Sequence, residues 1–268
     1  MIELPTSPTP VLSQNPKKLL IYSNPKGGKT TILAGLKDAL IVDLEGGTRY
    51  VEAMTIQAPD IKTVHELTKT LAKGHNYKYI CLDPITRLED IVLPYAKQLY
   101  VKTPQGKNFD GDNVLHLPNG GGYLFLRQAF FAVLNAFSRV TDHLVITGHV
   151  RDKMIEKNGK EVTHSEVDLT GKIRSILCAD VDAIAYLDRR GPDGFFRFAT
   201  SEDVICGARP MHLRNREIHI SHLEDDGSVT TYWDEIFIPE TKEGKAKAAA
   251  KQKANPVAKE PKGAVTFV

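Results

Sequence analysis

With 268 residues, 41% of them apolar and 25% charged, the chain can bury one sizeable core and still carry appendages, and its bulk is not of the disordered class. No run approaches the ~18 apolar residues of a membrane span, and the Pro-rich start MIELPTSPTPVLSQNP has neither the basic head nor the apolar centre of a signal peptide, so no membrane partner is expected. The net charge is +2, and three widely spaced cysteines, Cys81, Cys178 and Cys206, form no metal-ligand pattern and fit a reduced, cytoplasmic protein.

In chain order, residues 1–17 read as an arm without a sustained hydrophobic period. KLLIYS (18–23) is a short buried strand that leads into a helix starting near Lys29. DALIVDLE (38–45) is a second strand, residues 62–74 are helical, and YKYICLD (77–83) is a third strand. A helix is expected over 85–101, where Leu88, Ile91, Val92, Tyr95 and Leu99 fall at helical spacing. Residues 102–122 are polar and Gly-rich, 123–138 form an apolar helix, and HLVITGH (143–149) is a fourth strand. VDAIAYLD (181–188) and GFFRFAT (194–200) are two further strands joined by the turn sequence RRGPDG. This alternation predicts an α/β fold over 18–240, with a mostly parallel central sheet flanked by helices and an antiparallel C-terminal extension. Residues 241–268 carry seven Lys against Glu243 and Glu260 and few large apolar residues, so a disordered tail is expected there. Its charge would hold nucleic acid weakly or simply solubilise the chain.

The stretch LLIYSNPKGGKTTIL concentrates the chemistry. Of five Gly-Lys pairs in the chain, only Gly28-Lys29 precedes a Ser or Thr, and it does so between a strand and a helix, as a phosphate-binding loop requires. Residues Asn24, Pro25, Lys26, Gly27, Gly28, Lys29, Thr30 and Thr31 are the candidate nucleotide contacts. The two glycines let backbone N–H groups turn toward phosphate oxygens, Lys29 reaches the β- and γ-phosphates, and Thr30 offers a hydroxyl to Mg²⁺. Ser23 stands where such loops usually carry their first Gly, which predicts a mild steric cost and intact anion-binding amides. Asp83 ends the third strand, where a carboxylate can join Thr30 in holding Mg²⁺, although DPITRLED also suits it to a helix N-cap. Glu45, just past the second strand, is the candidate for activating water, while Asp43 supports either the loop or the metal. Thr147 and His149 end the fourth strand, within reach of a γ-phosphate or its water.

With PKGGKTT, LIVDLEGG, YICLDPITRLED and LVITGHVRDK in this order, residues 18–220 resemble the RecA-like ATPases. The resemblance implies ATP as the bound nucleotide with Mg²⁺, Lys29 in the Walker-A loop, Glu45 as the residue that activates water and Asp83 as the Walker-B aspartate. It implies that His149, where bacterial RecA has Gln, senses the γ-phosphate. IVDLEGG, HVRDK and LTGKIRSILCADVDAIAYLDRR are more closely similar to the small phage-encoded, core-only members, some of which anneal single strands. From them follow expectations of single-stranded DNA as ligand, annealing or recombination as activity, a single-strand-binding protein as a further partner and the host cytoplasm as location. Such ATPases work as homo-oligomeric rings or filaments, with a basic residue reaching a neighbour's γ-phosphate; Arg189, Arg190, Arg197 and Arg209 are the candidates.

The segments facing DNA in that family correspond to 102–122 and 151–172. They carry Lys102, Lys107, Arg151, Lys153, Lys157, Lys160 and Lys172, with Phe109 and Tyr123 as the rings available for base stacking. Two other classes fit the loop: an ATP-dependent loader or assembly adaptor acting on a protein, and a P-loop nucleotide kinase. The kinase would need an acceptor pocket and an Arg-bearing lid, and would leave Glu45 without a purpose.

Overall fold

The computed structural model describes residues 4, 6–8, 11, 13–157, 160–201 and 203–239. Six parallel strands make the centre of the sheet: β1 (Lys18–Ser23), β2 (Ala39–Asp43), β3 (Thr55–Gln57), β4 (Tyr79–Asp83), the first part of β5 (His143–Lys157) and β7 (Ala183–Arg190). The antiparallel strands β8 (Asp193–Arg197), β10 (Glu217–Leu223) and β11 (Val229–Thr231) extend it beyond β7, giving the order β11-β10-β8-β7-β1-β5-β4-β2-β3. The short β9 (Gly207–Ala208) pairs with β7, and β6 (Lys160–Val167) pairs with β5. The α/β class and the antiparallel C-terminal extension are therefore as expected from the sequence.

The inner strands are apolar on both faces because each face is covered. Leu20, Tyr22, Leu40, Val42, Ile80, Leu82, Leu144 and Ile146 point to one side. There they meet α2 (Ile61–Ala72), α3 (Ile85–Ile91), α4 (Leu93–Val101), α5 (Gly122–Val140) and α6 (Gly171–Asp180). The alternate residues Leu19, Ile21, Ala39, Ile41, Cys81 and Val145 point to the other side, toward α1 (Lys29–Ala34), Phe196, Trp233 and Phe237. The two-residue period of a strand thus sorts one apolar run into two cores.

Several elements differ from expectation. The helix over 85–101 breaks into α3 and α4, because Pro94 in the first turn of α4 has no N–H and its ring would clash with the carbonyl four residues back. Strand β3 is missed: three exposed residues carry too little pattern. Segment 102–122 is not a free polar loop; Val114 is fully buried in the core, and 3-10 turns form at Val114–His116 and Pro118–Gly120. Segment 151–172 is largely a β-hairpin, since β5 runs on past the sheet and folds back as β6. Residues 13–17 are tied to the fold: the Asn15 side chain exchanges two hydrogen bonds with the Ile238 backbone, and Lys17 and Lys18 N–H groups donate to Asp182. The expected tail, 241–268, lies outside the described residues.

Candidate active site

The parallel strands all deliver their carboxyl ends to one edge of the sheet, and the candidate residues meet there. Ser23 is in register with His149, Ile21 with Thr147, and Asp43 with Asp83. Strand β5 lies between the strand carrying the loop and the strand carrying Asp83.

The loop between β1 and α1 is shaped by two left-handed residues, Lys26 (φ 63°) and Gly28 (φ 89°), a conformation costly for a residue with a Cβ. Asn24, Pro25 and Lys26 are exposed, whereas Gly27, Gly28, Thr30 and Thr31 are half-buried. Lys29 is buried and folds back on its own loop: its Nζ donates to Ser23 O and Oγ at 3.2 Å each and to Asn24 O at 3.0 Å. Burial lowers its pKa, and the nearby Asp83 and Glu45 carboxylates pull the other way. An ammonium whose direct hydrogen bonds all go to neutral oxygens favours the arrival of an anion.

Ser23 therefore does more than replace a glycine. Its hydroxyl accepts from Lys29, and it lies so close to Gly27 that a Cβ there would come within 2.7 Å of Ser23 Oγ. Lys29 must leave this acceptor to reach a phosphate. Ser23→Ala is thus expected to tighten ATP binding roughly two- to five-fold, the worth of about one modest hydrogen bond. Titration of the purified variant with ATP checks this; weaker binding would mean that the hydroxyl supports the loop.

Three carboxylates crowd this edge, and their hydrogen bonds separate them. Asp43 is fully engaged: its Oδ1 accepts from the N–H groups of Glu45, Gly46 and Gly47, and its Oδ2 from the N–H and hydroxyl of Thr48. Burial raises its pKa, but these donors outweigh burial and hold it below the ordinary value. Of its two expected roles, the structure places it under the turn that carries Glu45. Asp83 is buried between two hydroxyls, accepting from Thr30 Oγ1 at 2.5 Å and from Thr147 Oγ1. Burial pushes its pKa up, further than Thr147, Thr30 and Lys29 draw it down. A buried carboxylate short of positive charge, touching a threonine hydroxyl, offers the hard oxygen donors that suit Mg²⁺.

Glu45 remains accessible, its side chain 44% exposed, with Oε2 3.5 Å from His149 Nε2. Gly47 lies next to both Glu45 and Thr30; a Cβ on it would fall 3.9 Å from Thr30 Oγ1 and 4.0 Å from Glu45 Oε1. His149 Nδ1 is buried and has no hydrogen-bond partner among the described residues, while Nε2 faces Glu45. His149 also ends the pairing of β5 with β1, and the next residue, Val150, begins its pairing with β6. It stands at the root of the hairpin.

The residues expected to meet DNA are divided. Arg151 is engaged by Glu166 at 2.9 Å and Asp168 at 3.7 Å, and Phe109 packs edge-on against Tyr100, so neither is freely presented. Lys153 is exposed on the hairpin opposite His164, and Tyr123 is exposed at the start of α5. Of the four arginines considered for a neighbour's phosphate, Arg190 pairs with Glu217 and Asp188, Arg197 with Asp203, and Arg189 donates to Ser221 Oγ. Arg209 pairs with Asp182 beside Lys18, at the opposite end of β1 from the loop.

The AAA-domain family profile matches residues 15–220. No curated protein matches the chain. Among solved structures, a RadB recombinase superposes with a TM-score of 0.43 and 15% identity, over 81% of this chain and 92% of its own. A KaiC-like protein from the hyperthermophilic archaeon Pyrococcus horikoshii gives 0.42 and 11%, over 81% and 89%.

Proposed function

The chain belongs to the AAA-domain family, and from that membership and the geometry of the sheet edge we propose that it is a Mg²⁺-dependent ATPase that binds single-stranded DNA and promotes annealing or recombination, encoded by a phage and acting as a homo-oligomer. The loop amides around Gly27 and Gly28, with Lys29, hold the phosphates. Thr30 and Asp83 hold Mg²⁺, which when bound spreads the phosphate charge. Glu45 orients a water and accepts its proton at a carboxylate oxygen as the water attacks the γ-phosphorus and the bond to the β-phosphate oxygen breaks. The phage assignment rests on the sequence resemblance of IVDLEGG and HVRDK.

The observation that carries the coupling to DNA is the position of His149. It touches Glu45 on one side and roots the hairpin β5–β6 on the other. A change in the water-bearing site is thereby passed to an arm that presents Lys153 to solvent. ATPase rate with and without single-stranded DNA, at about 50 and 200 mM salt, tests this. DNA is expected to stimulate turnover several-fold at low salt and less at high salt, and Lys153→Glu to weaken the stimulation. No DNA binding at low salt with ATP present would sink the DNA reading while leaving the ATPase standing.

A further inference from the structure

Away from the phosphate loop, on the antiparallel extension, two histidines and an aspartate converge. Asp193 Oδ1 accepts from His219 Nε2 at 2.9 Å and from His222 Nδ1 at 2.7 Å, and the ligand atoms of all three lie within 4.8 Å of one another. Residues three apart on a regular strand point to opposite faces. Here β10 carries a bulge: His219 pairs with Phe195 and Ser221 with Gly194, leaving Ile220 as the extra residue. The bulge shifts the phase of the strand, so that His219 and His222 turn toward the same carboxylate.

The surroundings fix both rings. His219 stacks on Phe195 with ring centroids 5.1 Å apart and lies 4.9 Å from the Tyr232 ring. The second nitrogen of His222, Nε2, faces away from Asp193 toward Glu224 Oε2, 4.0 Å away. Asp193 sits at the tight turn that joins β7 to β8, directly across from His222 in the strand register. Each side chain is half-exposed, so an ion can enter from solvent.

We propose that Asp193, His219 and His222 form a binding site for a first-row divalent ion, Zn²⁺ by preference, with at least one coordination position left open. Two neutral imidazole nitrogens and one carboxylate oxygen are the donor set of a borderline ion, not of Mg²⁺, and three protein ligands leave room for water or a ligand from another molecule. Binding replaces the two hydrogen bonds to Asp193: each imidazole gives its lone pair on the facing nitrogen to the ion and carries its proton on the other nitrogen. The ion then clips the β7–β8 turn to the end of β10. The site is separate from the phosphate loop, because β7 and β8 stand between β1 and β10.

The test is Zn²⁺ titration of the full chain without nucleotide or Mg²⁺, followed by calorimetry and repeated with Co²⁺ as a spectroscopic probe. One equivalent of Zn²⁺ is expected at micromolar affinity or tighter. His222→Gln and Asp193→Asn should each weaken it at least ten-fold, and the Co²⁺ spectrum should lack thiolate charge-transfer bands. Should a variant fail to fold, the imidazole resonances of wild-type His219 and His222 give the answer, because both must shift with the first equivalent. No Zn²⁺ binding by the wild type, binding unchanged in folded variants, thiolate bands, or unmoved His219 and His222 resonances would each overturn the proposal.

Discussion

Lys29→Ala is expected to remove the thermal stabilisation that ATP with Mg²⁺ gives the wild-type chain, and with it all measurable hydrolysis. The ammonium is buried, burial lowers its pKa, and its three donor contacts are to neutral oxygens of the loop. A phosphate offers it a full charge instead. Truncating one partner of such a buried charged contact costs about 2–5 kcal/mol, which corresponds to roughly 30- to 4,000-fold in affinity. Ligand-dependent stabilisation grows as RT ln(1 + [L]/Kd), so at a fixed ATP concentration it shrinks as Kd rises. The nucleotide-free variant should still fold, because alanine removes a buried amine and leaves Ile32 and Leu33 of α1 in their core. A melting curve with and without ATP and Mg²⁺ separates the two effects. A nucleotide-dependent shift in Lys29→Ala equal to that of the wild type would remove the loop from the binding site.

Much of this site is legible in the sequence because it is built from local patterns. LLIYS and YICLD are apolar runs that end in polar residues, and a parallel sheet brings such ends to one edge. Asp83, Glu45 and His149 can therefore be placed together without knowing the strand order. What cannot be read locally is how neighbouring groups occupy one another. The sequence allows Asp43 to serve either the metal or the loop, and only the fold surrounds it with five donors from residues 45–48. Phe109 has the composition of a stacking residue and is instead packed on Tyr100. Where β5 leaves the sheet to pair with β6 it continues as Arg151, Asp152 and Lys153, so it shows none of the apolar run that marks a buried strand. His219 and His222 carry the wrong spacing for a shared face, and only the bulge at Ile220, a tertiary feature, brings them together.

Glu45→Gln should stop turnover while leaving ATP bound, and the hydrogen bonding of the neighbouring carboxylates says why Glu45 is the one to change. A general base needs a free lone pair facing the water it deprotonates. Asp43 has spent both oxygens on five donors from the turn. Asp83 is buried, with one oxygen against Thr30 and the other against Thr147. Glu45 alone of the three is 44% exposed, and its Oε2 faces His149 Nε2 at 3.5 Å. Glutamine keeps the size and the ability to bond His149 but cannot accept a proton as a carboxylate does. General-base catalysis contributes about 10²–10⁴ in rate, so kcat is expected to fall by that factor while the ATP dissociation constant changes less than about three-fold. The substitution leaves Lys29, Thr30 and the loop amides untouched, which is why binding survives. Single-turnover hydrolysis beside an equilibrium ATP titration reads the two quantities separately. Unchanged hydrolysis in Glu45→Gln would take Glu45 out of the reaction.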